Sequence, residues 1–477
     1  MTINRIFTAI IAAGSLLTAS ATTDTLRLSL DDCIAIALSE SPTIKVADME
    51  ITRMDYSRKE TLGQLLPSIS FGASYNRTLA KQTMYMNMDG FGDLGGDTEN
   101  PESKASASRA GSDGGIKVGL DNSYSMGFNL SMPLIAPQLW KSLDLSESRI
   151  LQSVEQARQS RISLVNQIKN AYYTLLLAED SYKTILESYD MARFTADLYA
   201  KQHSLGAASD YDVLRTEVAV KNVEPELTQA TIAIKQAKLQ LLILMGVDAS
   251  QPIAAGTTLA EYESTMYADV LGIDHNIEGN SELRLLDIQT RQLRDALKVQ
   301  KMSLVPTLAL TANYNWTSMS NGSPLKNFRW SPYSMVGLTL SIPLFEGGQR
   351  HTRIRQAEIQ VNEMKWQRDN LLRSINMQAD LALDNINMNV KQIASCSESV
   401  RQADKAHDIM QKSFEIGAAS YLDLRDSELA LTRSRLAYYQ AIYNYLVARA
   451  DLELLLGNAN LEKYTSTPSD KHNLITE

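Results

Sequence analysis

Residues 205–212 read LGAASDYD, and residues 416–423 read IGAASYLD, 211 positions later. Three further motifs return in the same order: LMG at 244–246 becomes LLG at 455–457, SMPL at 131–134 becomes SIPL at 341–344, and LP at 66–67 becomes VP at 305–306. Each copy runs from a short helical pattern through two alternating segments to a very long helix and a return helix. A chain that repeats one ordered unit is expected to fold as two equivalent halves.

The bulk composition narrows the classes of function. The chain has 477 residues, a net charge of −9 and a pI of about 5.3. This acidic balance, without a basic cluster, argues against nucleic acid as a partner. It is compatible with a path for cations or neutral solutes. The two cysteines, Cys33 and Cys396, do not occupy equivalent places in the repeats, and the sequence leaves open whether they pair.

The first 21 residues have the pattern of a secretory signal peptide. Arg5 supplies the positive start, residues 6–17 are mostly apolar, and Ala19-Ser20-Ala21 fits a cleavage site. The apolar run is too short for a permanent membrane helix, and no later stretch reaches the roughly 18 apolar residues that such a helix needs. The protein is therefore expected to be exported and not to be a helical inner-membrane protein.

Four segments change from the helical period to strict alternation. They lie at residues 67–77, 123–133, 306–317 and 333–343. One face of each carries Ser, Thr, Asn or Gly, and the other carries apolar and aromatic residues. About ten residues is the length of a tilted strand that crosses a bilayer. A half-buried strand of a soluble sheet is the alternative, but the export signal and the polar faces favour a membrane barrel.

The remaining segments have helical periodicity. Residues Leu143, Ile150, Ala157, Leu164 and Ala171 recur at intervals of seven, as in a coiled coil. About 70 residues of helix extend roughly 100 Å, which exceeds the length of an ordinary globular domain.

Repeat 1 is predicted at 30–246, with a helix at 30–66, a strand at 67–77, a loop at 78–122, a strand at 123–133, a long helix at 137–205 and a return helix at 210–245. Repeat 2 is predicted at 281–457, with a helix at 281–304, a strand at 306–317, a loop at 318–331, a strand at 333–343, a long helix at 349–416 and a return helix at 420–456. An equatorial segment at 247–280 joins the repeats, and a polar tail follows at 458–477.

Four strands cannot close a barrel, and open strand edges are not stable in lipid. The barrel is therefore expected to be shared between chains. Two chains would give eight strands, whose interior is filled by side chains, whereas three would give twelve strands and room for a lumen. The predicted fold class is mainly α with membrane β. It consists of long antiparallel helical hairpins and a shared twelve-stranded barrel with four strands from each chain.

On these motifs the chain resembles the TolC family of outer-membrane factors. The resemblance rests on the duplication, the strand-to-helix sequence PLFEGG at 343–348, the two GAAS turns and the LLG endings. It covers essentially the whole mature chain, and it implies a homotrimer in the outer membrane of a Gram-negative cell, in contact with its lipid, with a helical tunnel in the periplasm. It also implies that the loop at 78–122 is extracellular, and that a periplasmic adaptor linked to an inner-membrane RND or ABC transporter docks on the helix tips.

The two GAAS turns are the candidate tips. Gly206 and Gly417 are expected to reverse the chain with a positive φ, and Ser209 and Ser420 are expected to cap the return helices. The residues assigned to adaptor docking by the resemblance are Gly206, Ala207, Ala208, Ser209, Gly417, Ala418, Ala419 and Ser420.

The resemblance also implies a gate at the narrow end of the tunnel. Asp423 and Asp426 match family carboxylates that form rings there, and three chains would bring six carboxylates together, which predicts cation preference. The alternative is a solvated acidic face near a helix N-terminus. Phe414 stands where some members have a tyrosine that bonds the aspartate matching Asp212, and Phe cannot donate.

A second gate bond of the family also has no equivalent, because Ala419 stands where some members have an arginine. Arg215 or Arg425 is the candidate substitute in this chain.

The sequence contains no P-loop, metalloprotease motif, nucleophile elbow or dinucleotide fingerprint, so neither an enzymatic site nor a cofactor or metal site is predicted. The predicted function is the outer-membrane exit duct of a tripartite efflux system for small molecules. The alternative is the duct of a type I protein secretion system. A structural or adhesive surface stalk is a more remote alternative, against which the alternating strands argue.

Overall fold

A computed structural model describes residues 26–84, 116–249, 251–263, 277–322 and 329–457. The predicted signal peptide at 1–21 and the polar tail at 458–477 lie outside these ranges, as does most of the loop at 78–122. The chain divides into two compact units. The strand unit comprises Met54–Arg149 and Arg291–Asn362, and the helical unit comprises Met1–Arg53, Ile150–Thr290 and Glu363–Glu477.

The strand unit contains one antiparallel sheet of four strands. The strands are β2 (Ser68–Arg77), β5 (Asn122–Ile135), β7 (Thr307–Ser320) and β8 (Ser331–Ser341), and they are ordered β2-β5-β7-β8. The four alternating segments are thereby confirmed as antiparallel strands. β5 and β7 pair at the centre, so the sheet joins the two repeats, and β2 and β8 remain as its edges.

The two faces of this sheet differ in chemistry because its strands are paired in register. Small polar residues lie opposite one another on one face, as in the row Ser70, Asn129 and Asn313. On the other face, the ring centroids of Phe71 and Phe128 are 5.0 Å apart, and those of Phe128 and Trp316 are 6.4 Å apart. Successive side chains of a strand point to opposite faces, so the alternating sequence produces one polar face and one aromatic face.

The ends of the predicted loop at 78–122 contain structure that the sequence did not predict. Short strands β3 (Gln82–Met84) and β4 (Ile116–Val118) pair antiparallel. Lys81 Nζ lies 3.0 Å from an Asp121 carboxylate oxygen, and the Gly322 amide donates to Asp121 at 3.0 Å. Asp121 thus connects the loops of both hairpins, and these contacts lower its pKa.

The helices include two very long members. Their bounds are α1 Leu30–Glu40, α2 Pro42–Gly63, α3 Pro137–Ser204, α4 Asp210–Met245, α5 Ser281–Met302, α6 Gln349–Glu415 and α7 Tyr421–Leu456. A short 3-10 helix, Ile277–Gly279, precedes α5. The long helices α3 and α6 have 68 and 67 residues, and each return helix has 36. Among the described helices, none combines the length and the apolar character that crossing a membrane requires.

The core of the helical unit lies where the ends of the return helices meet α1 and α3. Tyr172 of α3 and Tyr445 of α7 are fully buried there, and the Tyr172 hydroxyl donates to the Leu28 carbonyl at 3.2 Å.

Gly246 and Gly457 end the return helices in the left-handed conformation, with φ of 72° and 69°. The repeated LMG and LLG motifs are therefore helix C-caps, for which glycine is favoured.

A parallel strand pair in the helical unit was not predicted. β1 (Leu26–Leu28) pairs with β6 (Ile253–Ala255), which lies in the segment predicted as equatorial.

Both cysteines are free, and Cys33 is buried in α1. Burial raises the pKa of its thiol to about 12, so Cys33 is an unreactive core residue.

Candidate functional site at the helix turns

The turn of the first repeat is built by one glycine and two backbone hydrogen bonds. Gly206 has a φ of 75°, the Ala207 amide donates to the Gln202 carbonyl at 2.9 Å, and the Gly206 amide donates to the His203 carbonyl at 2.8 Å. This pair of bonds is a Schellman motif, which satisfies carbonyls that the end of α3 leaves without helical partners.

The turn of the second repeat has the same geometry. Gly417 also has a φ of 75°. The Ala418 amide donates to the Ser413 carbonyl at 2.8 Å, and the Gly417 amide donates to the Phe414 carbonyl at 3.0 Å. A Cβ built on either glycine meets nothing within 4 Å. Glycine is therefore required at these positions by the backbone conformation and not by lack of space.

Each return helix begins with a capping box. The Ser209 side chain accepts from the Asp212 amide at 3.2 Å, and the Ser209 hydroxyl donates to the Asp212 carboxylate at 2.6 Å. Ser420 and Asp423 repeat this arrangement at 3.3 Å and 2.6 Å. A reciprocal box of this kind fixes the first turn of a helix.

The capping boxes determine the charge state of two predicted gate residues. Hydrogen bonds from the hydroxyl and the backbone of its serine lower the pKa of Asp212 and of Asp423. Both carboxylates are therefore ionised at neutral pH. The structure thus gives Asp423 a local role at the helix N-terminus in addition to any role in a ring. Asp426 is exposed one turn later, and within the described ranges it forms no ion pair.

The predicted gate residue Phe414 packs against a tyrosine that the sequence analysis did not single out. Its ring centroid lies 6.4 Å from that of Tyr199 in α3. Tyr199 in turn meets Tyr421 edge to face at 5.6 Å, and burial, together with the nearby Asp212 carboxylate, raises the pKa of Tyr199. Phe414, Tyr199 and Tyr421 are named here the tip aromatic cluster.

Both candidate arginines contact the tip aromatic cluster at one residue. The guanidinium carbon of Arg215 lies 5.2 Å from the centroid of the Tyr421 ring, and Arg425 Nη1 donates to the Tyr421 hydroxyl at 3.3 Å. A guanidinium over a tyrosine ring at this distance is a stabilising cation–π contact. Tyr421 directly follows the capping serine, and that position was the only sign of its importance in the sequence.

The two repeats differ at equivalent positions beside their turns. His203 Nε2 lies 2.8 Å from the Asp210 carboxylate in the first repeat. The residues 211 positions later are Phe414 and Tyr421, which belong to the tip aromatic cluster. An exposed contact between an imidazole and a carboxylate in one repeat is therefore replaced by aromatic packing in the other.

The predicted docking residues surround an exposed apolar surface. Leu205 is 76% exposed and Ile416 is 81% exposed, each directly before its glycine, and Tyr211 and Leu422 are exposed at equivalent positions after the turns. Of the eight predicted docking residues, all but Ala208 and Ala419 are exposed in the chain. Within the described part of the chain, no cluster of His, Cys, Asp and Glu is arranged to hold a metal ion.

Comparison with known families gives a match over both repeats. A family model described as outer membrane efflux protein matches residues 33–247 and 273–458. Outer membrane protein TolC of Vibrio cholerae serotype O1 is 24% identical over 346 residues, which cover 70% of this chain and 76% of that protein. Alkaline protease secretion protein AprF of Pseudomonas aeruginosa is 24% identical over 340 residues, which cover 70% of each protein. Cobalt-zinc-cadmium resistance protein CzcC of Cupriavidus metallidurans is 23% identical over 295 residues, which cover 61% of this chain and 67% of that protein.

Solved structures share the fold at lower identity. The CmeC outer membrane channel of Campylobacter jejuni superimposes with a TM-score of 0.69 at 17% identity, covering 90% of this chain and 85% of that one. The open state of the MtrE outer membrane channel of Neisseria gonorrhoeae gives a TM-score of 0.66 at 16% identity, covering 92% and 93%. The architecture is therefore common to all three chains.

Proposed function

Because the chain belongs to the outer membrane efflux protein family, we propose that it is the outer-membrane exit duct of a tripartite efflux system. It is a transport channel of the outer membrane and not an enzyme. The observation that carries this conclusion is the family match over both repeats, in a chain whose sheet has a polar face and two unpaired edges.

The free edges support assembly of three copies. The edge strand β2 is exposed along its whole length, and β8 is exposed at nearly every position. If β8 of one copy pairs with β2 of the next, three copies give twelve strands and leave no edge in lipid. The polar face of Ser, Thr, Asn and Gly would then line a wet lumen, and the aromatic face would meet lipid.

The gate is proposed at the turns of the second repeat. Asp423 is kept ionised by its capping box, and Asp426 lies on the same helical face. Three copies would place six such carboxylates at one constriction, where they favour cations and bind multivalent cations. The other two proposed gate residues, Asp212 and Phe414, also lie beside the helix turns. The contacts of Arg215 and Arg425 with Tyr421 would hold the closed state, in place of the tyrosine and arginine bonds of other family members.

The exposed apolar surface around Leu205 and Ile416 is the proposed contact with a periplasmic adaptor. Exposed apolar residues that are grouped on one surface are suited to protein docking. The adaptor would connect the duct to an inner-membrane RND or ABC transporter. That transporter would supply the energy, since the sequence shows no nucleotide-binding motif.

The exported cargo is proposed to be small toxic molecules. Among its relatives, CzcC is named for resistance to metal ions, whereas AprF is named for protease secretion. Secretion of a protein through an ABC exporter is therefore the second candidate. Expression in a strain without its own duct separates the two, because restored drug resistance supports efflux and restored export of a protease supports secretion.

Conductance of the purified protein in planar bilayers tests the gate. We expect small cation-selective openings that divalent cations block. Asp423→Asn with Asp426→Asn should abolish the block, because asparagine retains the shape of the side chain without its charge. The matched control is Asp380→Asn with Asp384→Asn, which removes two exposed carboxylates from α6. Equal loss of block in both double variants would contradict a gate at the turns.

A further inference from the structure

A cavity of about 800 Å³ lies beside the second turn, between α3, α6 and α7. It is named here the tip cavity. Apolar side chains form much of its wall: Met191, Phe194, Leu198, Tyr199, Phe414 and Leu424. A concave site with mainly apolar and aromatic walls and a few polar groups is the usual form of a small-molecule site.

The polar part of the tip cavity is acidic. Asp190, Glu415 and Glu428 contribute carboxylates, and His407 contributes an imidazole. Neither lysine nor arginine is among the lining residues in the described part of the chain. The cavity therefore offers acceptors and negative charge without a resident cation.

Glu428 is the most deeply placed of these carboxylates. Its Oε1 accepts a hydrogen bond from the Ser188 hydroxyl at 3.2 Å, and Ser188 is only 6% exposed. Burial raises the pKa of Glu428, and the hydroxyl and the charge of Arg425 offset this only in part. Glu428 itself is half-buried. A partly desolvated carboxylate with a neutral hydrogen-bond partner gains from the arrival of a cation.

His407 presents a second acceptor to the same space. It is 7% exposed, and its Nδ1 lies 3.3 Å from the Ser427 hydroxyl oxygen. Its other ring nitrogen has no hydrogen-bond partner within the described ranges. Burial lowers the pKa of His407, so the imidazole is neutral at pH 7. When Nδ1 carries the proton and donates it to Ser427, Nε2 is free to accept from a ligand.

We propose that the tip cavity binds an amphipathic organic ammonium ion. The ammonium group would donate to the Glu428 carboxylate and to the free nitrogen of His407. The apolar body of the ligand would lie against Phe194, Tyr199 and Phe414, whose aromatic rings also attract cations. This inference goes beyond the duct function, since it assigns a small-molecule binding site between helices of one chain.

Protons should compete with such a ligand. Several charged or titratable groups act on the two acceptors: Asp190 from α3, Asp404, Asp408 and Glu415 from α6, and Arg425 and Arg435 from α7. The pKa of Glu428 is raised, so the carboxyl takes up a proton before ordinary glutamates do as the pH falls. An aliphatic ammonium stays charged up to about pH 10. Affinity should therefore decline on acidification through the pKa of Glu428.

The probe is dansylcadaverine, which joins an environment-sensitive aromatic group to a primary ammonium. Its N-acetyl derivative is the control probe, because it has the same aromatic body without charge. Binding is measured by fluorescence on the full-length protein in nanodiscs, and empty nanodiscs report partition into lipid. We expect saturable binding of the amine that is at least about tenfold tighter than that of the acetylated probe, as for a hydrogen bond to a charged group.

Two variants localise the site. Glu428→Gln keeps an acceptor for Ser188, and it should weaken binding of the amine about tenfold and remove the part of its pH dependence that comes from Glu428. Glu217→Gln removes an exposed carboxylate from α4 and should bind as the parent protein does. Gln411→Trp places a bulky side chain in the cavity lining and should block both probes without removing charge.

Equal affinity in Glu428→Gln and the parent protein, or no binding above that of empty nanodiscs, would overturn the proposal. The same purified proteins are also placed in planar bilayers, and their conductance is recorded without probe. Normal conductance alongside absent binding therefore refutes the cavity site and leaves the proposed duct function intact.

Discussion

Arg215 and Tyr421 connect the two repeats at the turns. The guanidinium carbon of Arg215, in the return helix of the first repeat, lies 5.2 Å from the ring centroid of Tyr421, the first residue of the second return helix. If this contact holds the closed state, Arg215→Ala should raise the ratio of open to closed channels about two- to fivefold, which corresponds to about 0.5–1 kcal/mol. Single-channel recording measures that ratio.

The exposed Arg433 of α7 provides the matched control for this change. Arg433→Ala should leave the ratio unchanged. In Tyr421→Leu, the effect of Arg215→Ala should largely disappear, because the two side chains act as one pair. Additive effects of the two substitutions would show that they act independently.

The turn glycines should be sensitive to a single methyl group although the space around them is open. Gly206→Ala and Gly417→Ala force alanine into a φ of 75°, and each should destabilise its turn by about 1–2 kcal/mol. Hydrogen exchange should accelerate in peptides that contain Ala207 or Ala418, whose amides close the turns.

Gly63, at the end of α2, separates the effect of conformation from that of the methyl group. A Cβ there also meets nothing within 4 Å, but Gly63 lacks a positive φ. Gly63→Ala should leave exchange at the turns unaffected. Similar acceleration in all three variants would argue against a special role for the left-handed conformation.

The capping box at the second turn should make α7 sensitive to acid. Ser420→Ala removes the hydroxyl that lowers the pKa of Asp423, and it should destabilise the first turn of α7 by about 1 kcal/mol at pH 7. The pKa of Asp423 is lowered in the folded chain. The stabilisation that comes from the Asp423 carboxylate is therefore present above the ordinary pKa of about 3.9 and is lost as the pH falls through the lowered pKa.

Hydrogen exchange of this turn, compared between parent and variant at each pH, follows that loss. The ratio of exchange rates should be about fivefold at pH 7. It should fall in strong acid but stay above one, because the Ser420 oxygen still accepts from the Asp423 amide when the carboxyl is protonated. A ratio that does not change with pH would mean that the carboxylate takes no part in capping.

Substitution by alanine should have different effects at two glycines that are paired in the sheet. Gly72 and Gly127 are register partners in β2 and β5. A Cβ on Gly127 would clash with Asn315 Oδ1 and lie 2.5 Å from the Tyr314 carbonyl oxygen, whereas one on Gly72 meets nothing within 4 Å. Gly127→Ala should therefore disrupt the pairing of β5 with β7 and cost about 1–3 kcal/mol, as overpacking does.

The yield of heat-resistant trimer on electrophoresis distinguishes these variants. It should fall for Gly127→Ala and remain at the parent level for Gly72→Ala. A normal yield for Gly127→Ala would mean that the side chain of Asn315 and the β7 backbone move aside at little cost.

The elements of the fold could be predicted because their signals are local and repeated. The change of period from 3.6 to 2 near Pro67 and again near Pro306 separates helix from strand, and the strands follow directly. The parallel pair of β1 and β6 could not be predicted in this way. Each strand has three residues, and their pairing joins positions more than 220 residues apart, such as Leu26 and Ile253.

The candidate site was only partly predictable for a related reason. The glycines and the capping serines stand in a contiguous motif, and Ser420 with Asp423 already has the spacing of a capping box. The contact of Tyr199 with Tyr421 depends on the rotation of α3 relative to α7 about their axes. Heptad spacing within one helix does not determine that orientation, so the tip aromatic cluster emerged only from the structure.

The exposed edges of β2 and β8 have a consequence for how the protein is made. A newly exported single chain carries two rows of unpaired backbone groups, which are a template for mispairing with any extended polypeptide. Insertion into lipid must therefore wait until partners arrive, so biogenesis should depend steeply on chain concentration in the periplasm. During that interval, holdase chaperones that cover the edges would set the yield, and slow production should give more functional channel than rapid overexpression.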